Sequence, residues 1–414
     1  MRWHRPHPQV KSALSKILLC RTAALNGHLY RCGQCSRAVN VYNSCTDRHC
    51  PQCGGARRAQ WMQKSSEVIL PEVPYFQVVF TLPDKLSALI LGNRSQLYSL
   101  LFRSAWKALD AQLRSTGKFQ PAALMVLHTW NQQLQHHTHI HALVPGAGPS
   151  IDGGSWVVAK HPRHRRRKKA YLTDNVELSR AFRKFYLRGL TRLRSKHRLC
   201  IGGSVEHLND PRAWAAFLKE LESVDWNVFV QGPPHGKSEP ASVMKYLAGY
   251  LTGGPISDRR VLSADNQEVW ISARPKRTSK SSRRKGAMAK PRPYRLSARE
   301  FMRRWSLHVL PKGFTRSRSY GGYHPRKRKQ YLTSCRSLGT LVPNDTLPPS
   351  PETESPETEP QPRKCRHCEN PLELISFQRR PSWKFVFERG VYQSGVYAPV
   401  HHLCTGRSPP ARCD

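Results

Sequence analysis

Residues 122–144 read AALMVLHTW, then NQQLQ, then HHTHIHALV, and no other stretch constrains the fold as tightly. Two apolar, β-branched runs flank a short polar turn, the pattern of an antiparallel hairpin. Alternate side chains of a strand share a face about 7 Å apart, so His139 and His141 project together while Thr138, Ile140, Ala142 and Val144 turn to the opposite side. Two neutral imidazoles so placed can chelate one ion at about 2 Å, although an exposed histidine-rich strand face carries the same signature. Directly opposed residues of a hairpin lie about 5 Å apart at Cβ. A register that sets His128 against His139 therefore gathers His128, His139 and His141 into a three-nitrogen site with open positions for substrate. A slip of one residue turns His128 away, which leaves His137, an amide or a carboxylate from elsewhere as competing third ligands.

The hairpin sits within a longer alternation of elements. YFQVVFTL at 75–82 is dense in aromatic and β-branched residues and stops at Pro83, as a buried strand would. Residues 93–116 carry an apolar helical stripe of Leu97, Leu100, Leu101, Trp106 and Leu109. Further helices are expected over 176–196 and 213–222, a strand in WNVFVQ at 226–231, and a helix from Gly55 onward. This order indicates an α+β or α/β sheet with helical cover. A Pro-rich linker at roughly 342–362 should be extended or disordered. No apolar run approaches 18 residues and the amino end lacks a signal-peptide pattern, so a cytoplasmic protein is expected.

Six of the twelve cysteines lie between Cys20 and Cys53. In a reducing compartment such clustering argues for metal rather than disulfides. Cys32-x2-Cys35 and Cys50-x2-Cys53, separated by fourteen residues, have the spacing of a tetrahedral thiolate zinc site. Cys20, His28, Cys45 and His49 supply ligands for a second zinc in the same segment. Zinc here would hold a small domain together and present Arg37, Arg48, Arg57 and Arg58 to phosphates. Far downstream, Cys365-x2-Cys368 with His401, His402, Cys404 and Cys413 has the look of a zinc ribbon.

Lysine and arginine total 68 against 27 acids, a formal excess of 41. That charge repels itself unless a polyanion is near, which makes nucleic acid the natural partner; it says nothing of catalysis. Two runs concentrate it: HPRHRRRKK, with Arg165, Arg166, Arg167, Lys168 and Lys169, and ARPKRTSKSSRRKGAMAKPRPYR, with Arg283, Arg284 and Lys285. They read equally as loops along a DNA groove or as solvated basic tracts.

A nucleophile for such a partner is available in ASVMKYLAGYLTGGP, where Tyr246 and Tyr250 stand four apart before Gly253, Gly254 and Pro255. Residues four apart share a helical face, so both phenols can approach one site. A phenol attacks phosphorus poorly unless a cation polarises the phosphate. Gly249 between them costs the helix roughly 1 kcal/mol relative to alanine. An ordinary amphipathic helix with two tyrosines has the same spacing.

Taken in order, CRTAALNGH, YNSCTDRHCPQC, VVFTLP, LHTWNQQLQHHTHIHALVPG, YLAGY with ISDRRVLS, and EFMRRWSLHVLPKGFTRSRSYGG resemble the HUH superfamily, specifically the two-tyrosine rolling-circle transposases of bacterial insertion sequences. The resemblance covers about residues 11–335. It implies an α+β architecture: a zinc-binding, DNA-binding domain over 1–68, then an HUH nuclease domain over 72–340 with a central antiparallel sheet and flanking helices. A Pro/Glu-rich linker over 341–363 and a tail over 364–414 would follow. It further implies His139 and His141 as ligands of Mg²⁺ or Mn²⁺, and Tyr246 and Tyr250 as nucleophiles on single-stranded DNA at transposon ends and in the target. The product would be a 5′-phosphotyrosine bond and a free 3′-hydroxyl. Imidazole ligands alone also suit zinc and other transition metals. Two other functions share parts of this signature: a zinc-containing DNA-binding protein without chemistry, and a plasmid rolling-circle replication initiator.

Overall fold

The computed structural model describes residues 7–54, 61, 68–70, 73–159, 171–232, 254–275, 290–339 and 363–388. The chain divides into two units. One comprises residues 1–54 and 344–414 with the short piece 257–259, and the other comprises 55–256 and 260–343.

The larger unit is built on a five-stranded sheet. Its histidine strand, His136–Pro145, lies at the centre, between Ala122–Trp130 and Tyr75–Thr81; Ser317–Gly321 and Val228–Gln231 form the edges. Every pairing in it is antiparallel. The mixed helix-and-sheet fold with a central antiparallel sheet is the α+β class expected from the sequence.

Strand alternation gives this sheet two distinct faces. Phe76, Val78 and Phe80, Ala123, Met125 and Leu127, and Ile140, Ala142 and Val144 all enter one core, closed by the helices Arg94–Gln112 and Asn175–Ser195. Ile140 and Phe80 are fully buried there. The opposite face carries Tyr75, Val126 and Leu143 into a second core with Tyr331, Leu332 and Cys335 of the helix Arg328–Gly339. The histidines occupy the remainder of that second face. Helix starts follow from side-chain caps. Asp174 accepts from the amides of Val176 and Glu177. Asp210 caps Pro211–Ser223 with proline at the first turn, and Ser297 accepts from Glu300 N in an S-x-x-E arrangement. That last helix follows a three-stranded sheet of Val261–Ala264, Glu268–Ala273 and Arg292–Ser297, which the sequence pattern does not announce.

In the smaller unit, Gly27–Cys32 is the middle strand of three, paired antiparallel with Ala38–Tyr42 on one side and with Leu372–Phe377 on the other. Residues expected to be a separate carboxy-terminal tail thus supply an edge strand to the amino-terminal sheet. Of the helix read from Gly55 onward, residues 55–60 and 62–67 lie outside the described residues, and Trp61 is helical.

The two-faced sheet makes a direct prediction. Ile140→Ala should cost about 2–5 kcal/mol, as expected for a fully buried aliphatic side chain, whereas His139→Ala one residue away should cost far less. Urea unfolding checks this, and equal losses at the two positions would contradict the face assignment.

Candidate metal centres

The pairing of Ala122–Trp130 with His136–Pro145 sets Val126 against His141, Leu127 against Ile140 and His128 against His139. This is the register that a three-imidazole arrangement requires. Ring centroids of His128 and His139 are 5.3 Å apart, those of His128 and His141 4.6 Å, and those of His139 and His141 5.0 Å. Their candidate ligand nitrogens all fall within 4.8 Å of one another. His128 and His141 are buried, and His139 is half-buried.

Hydrogen bonds fix how these rings present themselves. A carbonyl can only accept, so the 2.9 Å contact between His139 Nδ1 and the His137 carbonyl places the proton on Nδ1 and leaves Nε2 as the basic atom. The terminal amide of Gln77 lies 2.7 Å from His141 Nδ1; turned so that its oxygen accepts Nδ1–H, it frees Nε2 of that ring as well. His128 stacks on Trp130 at 4.6 Å, across the irregularity that separates the two in the ladder. Burial, with His141, His137 and Arg316 adding like charge, holds His139 well below the usual imidazole range. Burial and then Arg316 push His141 down to about 4. All of this favours neutral imidazole, the form that binds metal. His137, a competing ligand on sequence grounds, instead lies 3.5 Å from Asp84.

Two residues that sequence reasoning passed over brace this hairpin. His308, buried at the end of the helix Ala298–Leu307, donates from Nε2 to the Leu134 carbonyl at 2.9 Å and takes the Thr129 hydroxyl on Nδ1 at 3.1 Å. Arg304 donates to the Gln133 carbonyl at 2.9 Å. Both belong to the EFMRRWSLHVLPKGF run, which carried the family resemblance but gave no hint of this role. Inside the turn, Asn131 Oδ1 accepts from the amides of Gln133 and Gln135. Beside it a polar cleft of about 530 Å³ is lined by Asn131, Gln132, Gln133, Gln135, His136 and His137, among others.

The cysteines sort differently from their order in the chain. Cys32, Cys35, Cys50 and Cys53, which spacing alone would join, are not brought together. Cys50 and Cys53 converge with Cys20 and Cys45, while Cys32 and Cys35 meet Cys365 and Cys368. In the first cluster the sulfurs of Cys20 and Cys53 are 3.6 Å apart, those of Cys45 and Cys53 3.6 Å, and those of Cys20 and Cys50 3.7 Å. Four thiolates around zinc at 2.3 Å stand about 3.8 Å apart, so this donor set fits the ion. Accepting a hydrogen bond from Cys20 holds the Cys53 thiol low, while donating one to Cys20 pushes Cys45 up. Of the other second-site candidates, His28 stacks on Tyr30 and Phe377, and His49 Nδ1 contacts Asp47 at 2.9 Å; neither joins a cluster. Tyr246, Tyr250, Arg165, Arg166, Arg167, Lys168, Lys169, Arg283, Arg284 and Lys285 lie outside the described residues, as do Arg57, Arg58, His401, His402, Cys404 and Cys413.

Known proteins match this layout. Residues 122–330, which include the histidine hairpin, fit the family described as "Putative transposase", and residues 1–82 fit the "Transposase zinc-binding domain". "Putative transposase y4qJ" of Sinorhizobium fredii (strain NBRC 101917 / NGR234) is 35% identical, over 84% of this chain and 81% of its own. The chain belongs to this transposase family. "Transposase for insertion sequence element IS801" of Pseudomonas savastanoi pv. phaseolicola is 26% identical over 61% of this chain and 57% of its own length. The resemblance to insertion-sequence transposases is thereby confirmed, as is a zinc-binding domain at the amino end, and DNA is the substrate class of such a transposase. No described helix is long and apolar enough to cross a membrane.

The bracing of the turn can be checked without any metal. His308→Ala removes the hydrogen bonds of a buried ring to Leu134 and Thr129 and should lower stability by about 1–3 kcal/mol. Amide exchange at Leu134 and Gln135 should accelerate beyond the global change. Exchange that rises uniformly across the sheet would show that His308 does not hold the turn in particular.

Proposed function

We propose that this transposase cleaves and rejoins single-stranded DNA at the ends of its element, and in the target, through a 5′-phosphotyrosine intermediate, in rolling-circle transposition. The observation that carries this reading is the imidazole trio on the central strand of the sheet, with His128 directly opposite His139 and the tautomer of His139 set by a carbonyl. His128, His139 and His141 would hold a divalent ion, Mg²⁺ or Mn²⁺, which supplies charge stabilisation to the scissile phosphate when bound. Three nitrogen donors lean toward Mn²⁺ over Mg²⁺, which prefers oxygen ligands.

Tyr246 and Tyr250 are the nucleophiles in this proposal, carried over from the resemblance to the two-tyrosine transposases; their four-residue spacing is compatible with one shared helical face. The phenol oxygen of one attacks phosphorus as its proton leaves. The bond from phosphorus to the 3′ oxygen breaks, and that oxygen takes up a proton. One strand end is then a 5′-phosphotyrosine ester and the other a free 3′-hydroxyl. The ester conserves the bond energy, so attack by a 3′-hydroxyl rejoins DNA and restores the phenol without a nucleotide cofactor. A second tyrosine permits a second cleavage while the first end is still attached. The basic runs at 165–169 and 283–285 would contact phosphates, which set affinity and its salt dependence, and the amide-lined cleft beside the turn offers donor and acceptor groups suited to bases.

Incubating the full chain with a single-stranded oligonucleotide from the element's end and Mn²⁺, then mapping the adduct by mass after denaturing electrophoresis, tests the reading. The adduct should sit on Tyr246 or Tyr250 and vanish in Y246F/Y250F. H139A/H141A should lose cleavage while retaining DNA binding, and Gln77→Leu should raise the Mn²⁺ concentration for half-maximal cleavage about 10–100-fold. Salt-sensitive binding with no covalent product from the unaltered chain would mark a DNA-binding protein without chemistry. Undiminished cleavage by Y246F/Y250F would remove both tyrosines from the mechanism.

A further inference from the structure

The second cysteine cluster joins the two ends of the chain. Cys32 and Cys35 come from the amino-terminal sheet, Cys365 and Cys368 from the carboxy-terminal segment, and the latter pair lies beyond both family matches, which end at residues 82 and 330. The Cys32 and Cys368 sulfurs are 3.4 Å apart and those of Cys35 and Cys365 3.6 Å. A disulfide would bring them to about 2.05 Å, and tetrahedral zinc thiolate to about 3.8 Å. The spacing is that of a metal site.

Backbone geometry makes the same case independently of the sulfurs. In the first turn Ser36 N donates to the Cys32 carbonyl at 2.9 Å and Cys32 N to the Arg37 carbonyl at 3.0 Å. In the second, Glu369 N donates to the Cys365 carbonyl at 2.9 Å and Cys365 N to the Asn370 carbonyl at 2.7 Å. The fifth residue of each turn is left-handed, Ser36 at φ 56° and Glu369 at φ 57°, although neither is glycine and the conformation is uncommon for such residues. The flanking pairs also correspond: Arg31 bridges Ala38, and Lys364 bridges Pro371. Two segments more than 300 residues apart therefore form the same Cys-x2-Cys knuckle and face each other. The two turns bring their four sulfurs within 4.8 Å of one another. Cys32 and Cys365 are fully buried against Leu372, with Cys35 and Cys368 partly covered. The pairing of Leu372–Phe377 with Gly27–Cys32, which sets Leu372 opposite Cys32, locks the two knuckles in register.

We propose that Cys32, Cys35, Cys365 and Cys368 form a second structural zinc site, so that the zinc-binding domain is completed by residues 363–388 and holds two zinc ions rather than one. The inference does not depend on the phosphotyrosine chemistry and stands or falls on metal content. Zinc measured by plasma mass spectrometry on the purified full chain should fall by one ion per chain in C365S/C368S and by one in C20S/C45S, the two losses adding in the combined variant. Wild-type zinc content in C365S/C368S would overturn the proposal. Because a substituted chain can misfold, the unaltered protein gives a second measurement: iodoacetamide labelling with peptide mass mapping, along a titration with a zinc chelator. The exposed Cys200 should label throughout, while Cys32, Cys35, Cys365 and Cys368 become reactive together as one group. Labelling of Cys365 and Cys368 at the rate of Cys200 before chelation, or recovery of a Cys32–Cys368 disulfide from protein kept reduced, would each refute a shared zinc site.

Discussion

The antiparallel register between Ala122–Trp130 and His136–Pro145 is the constraint on which the rest of the larger unit depends. Side chains alternate with a period of two, so a shift of one residue would send Ile140 out of the helical core and His139 into it. The two requirements are coupled: the apolar core beneath Ile140, Leu127 and Phe80 can close only in the register that also sets His128 against His139. Hydrophobic burial, the largest favourable term in folding, thereby positions a polar site that could not have organised itself. The turn reinforces the choice from outside the sheet, since His308 and Arg304 hold the carbonyls of Leu134 and Gln133.

Gathering three imidazoles on a largely covered surface has an electrostatic consequence. Burial makes the His139 and His141 rings resist protonation, and Arg316, whose guanidinium lies 5.0 Å over Trp130 and donates to the Leu127 carbonyl, adds to that resistance. The three rings bring nitrogen lone-pair donors within 4.8 Å of one another, an arrangement that gains from a cation. The same logic applies at the cysteine clusters, where sulfurs within 3.4–3.7 Å of each other repel as thiolates unless a divalent ion lies among them.

Much of the larger unit was legible because its signals are local. The helix expected over 93–116 is Arg94–Gln112, that over 176–196 is Asn175–Ser195, and the strand expected over 75–82 is Tyr75–Thr81. The edge strand Ser317–Gly321 was not legible, being short and polar, SRSYG, and held by pairing with Ala122–Val126 rather than by its own pattern. His308 was hidden for a related reason: a histidine on an apolar helix end gives no hint of which carbonyl it will reach. The cysteines failed differently. Spacing reports which thiols share a turn, and both Cys-x2-Cys pairs were visible; it cannot report which turn faces which. Cys35 pairs across 330 positions with Cys365, a distance over which sequence separation carries no geometric information.

That separation also bears on how the smaller unit comes together. Closing a span of 330 residues from an unfolded chain costs about 3 kcal/mol more than closing a 15-residue turn, and the cost falls once the intervening residues 55–343 have folded as their own unit. A chain emerging from its amino end would complete the Cys20, Cys45, Cys50 and Cys53 cluster early, because all four ligands lie within the first 53 residues. The other two thiols of the amino-terminal sheet, Cys32 and Cys35, would wait for residues 365–368, after the larger unit is made. On this account the middle strand Gly27–Cys32 keeps one edge unpaired until Leu372–Phe377 adds to it. An unpaired strand edge is a hazard for misassociation, so the carboxy-terminal knuckle serves as a cap as well as a metal ligand. Zinc then makes the cap durable: a six-residue strand whose outward residues Leu374, Ile375 and Phe377 remain exposed has little hydrophobic burial of its own to hold it in place.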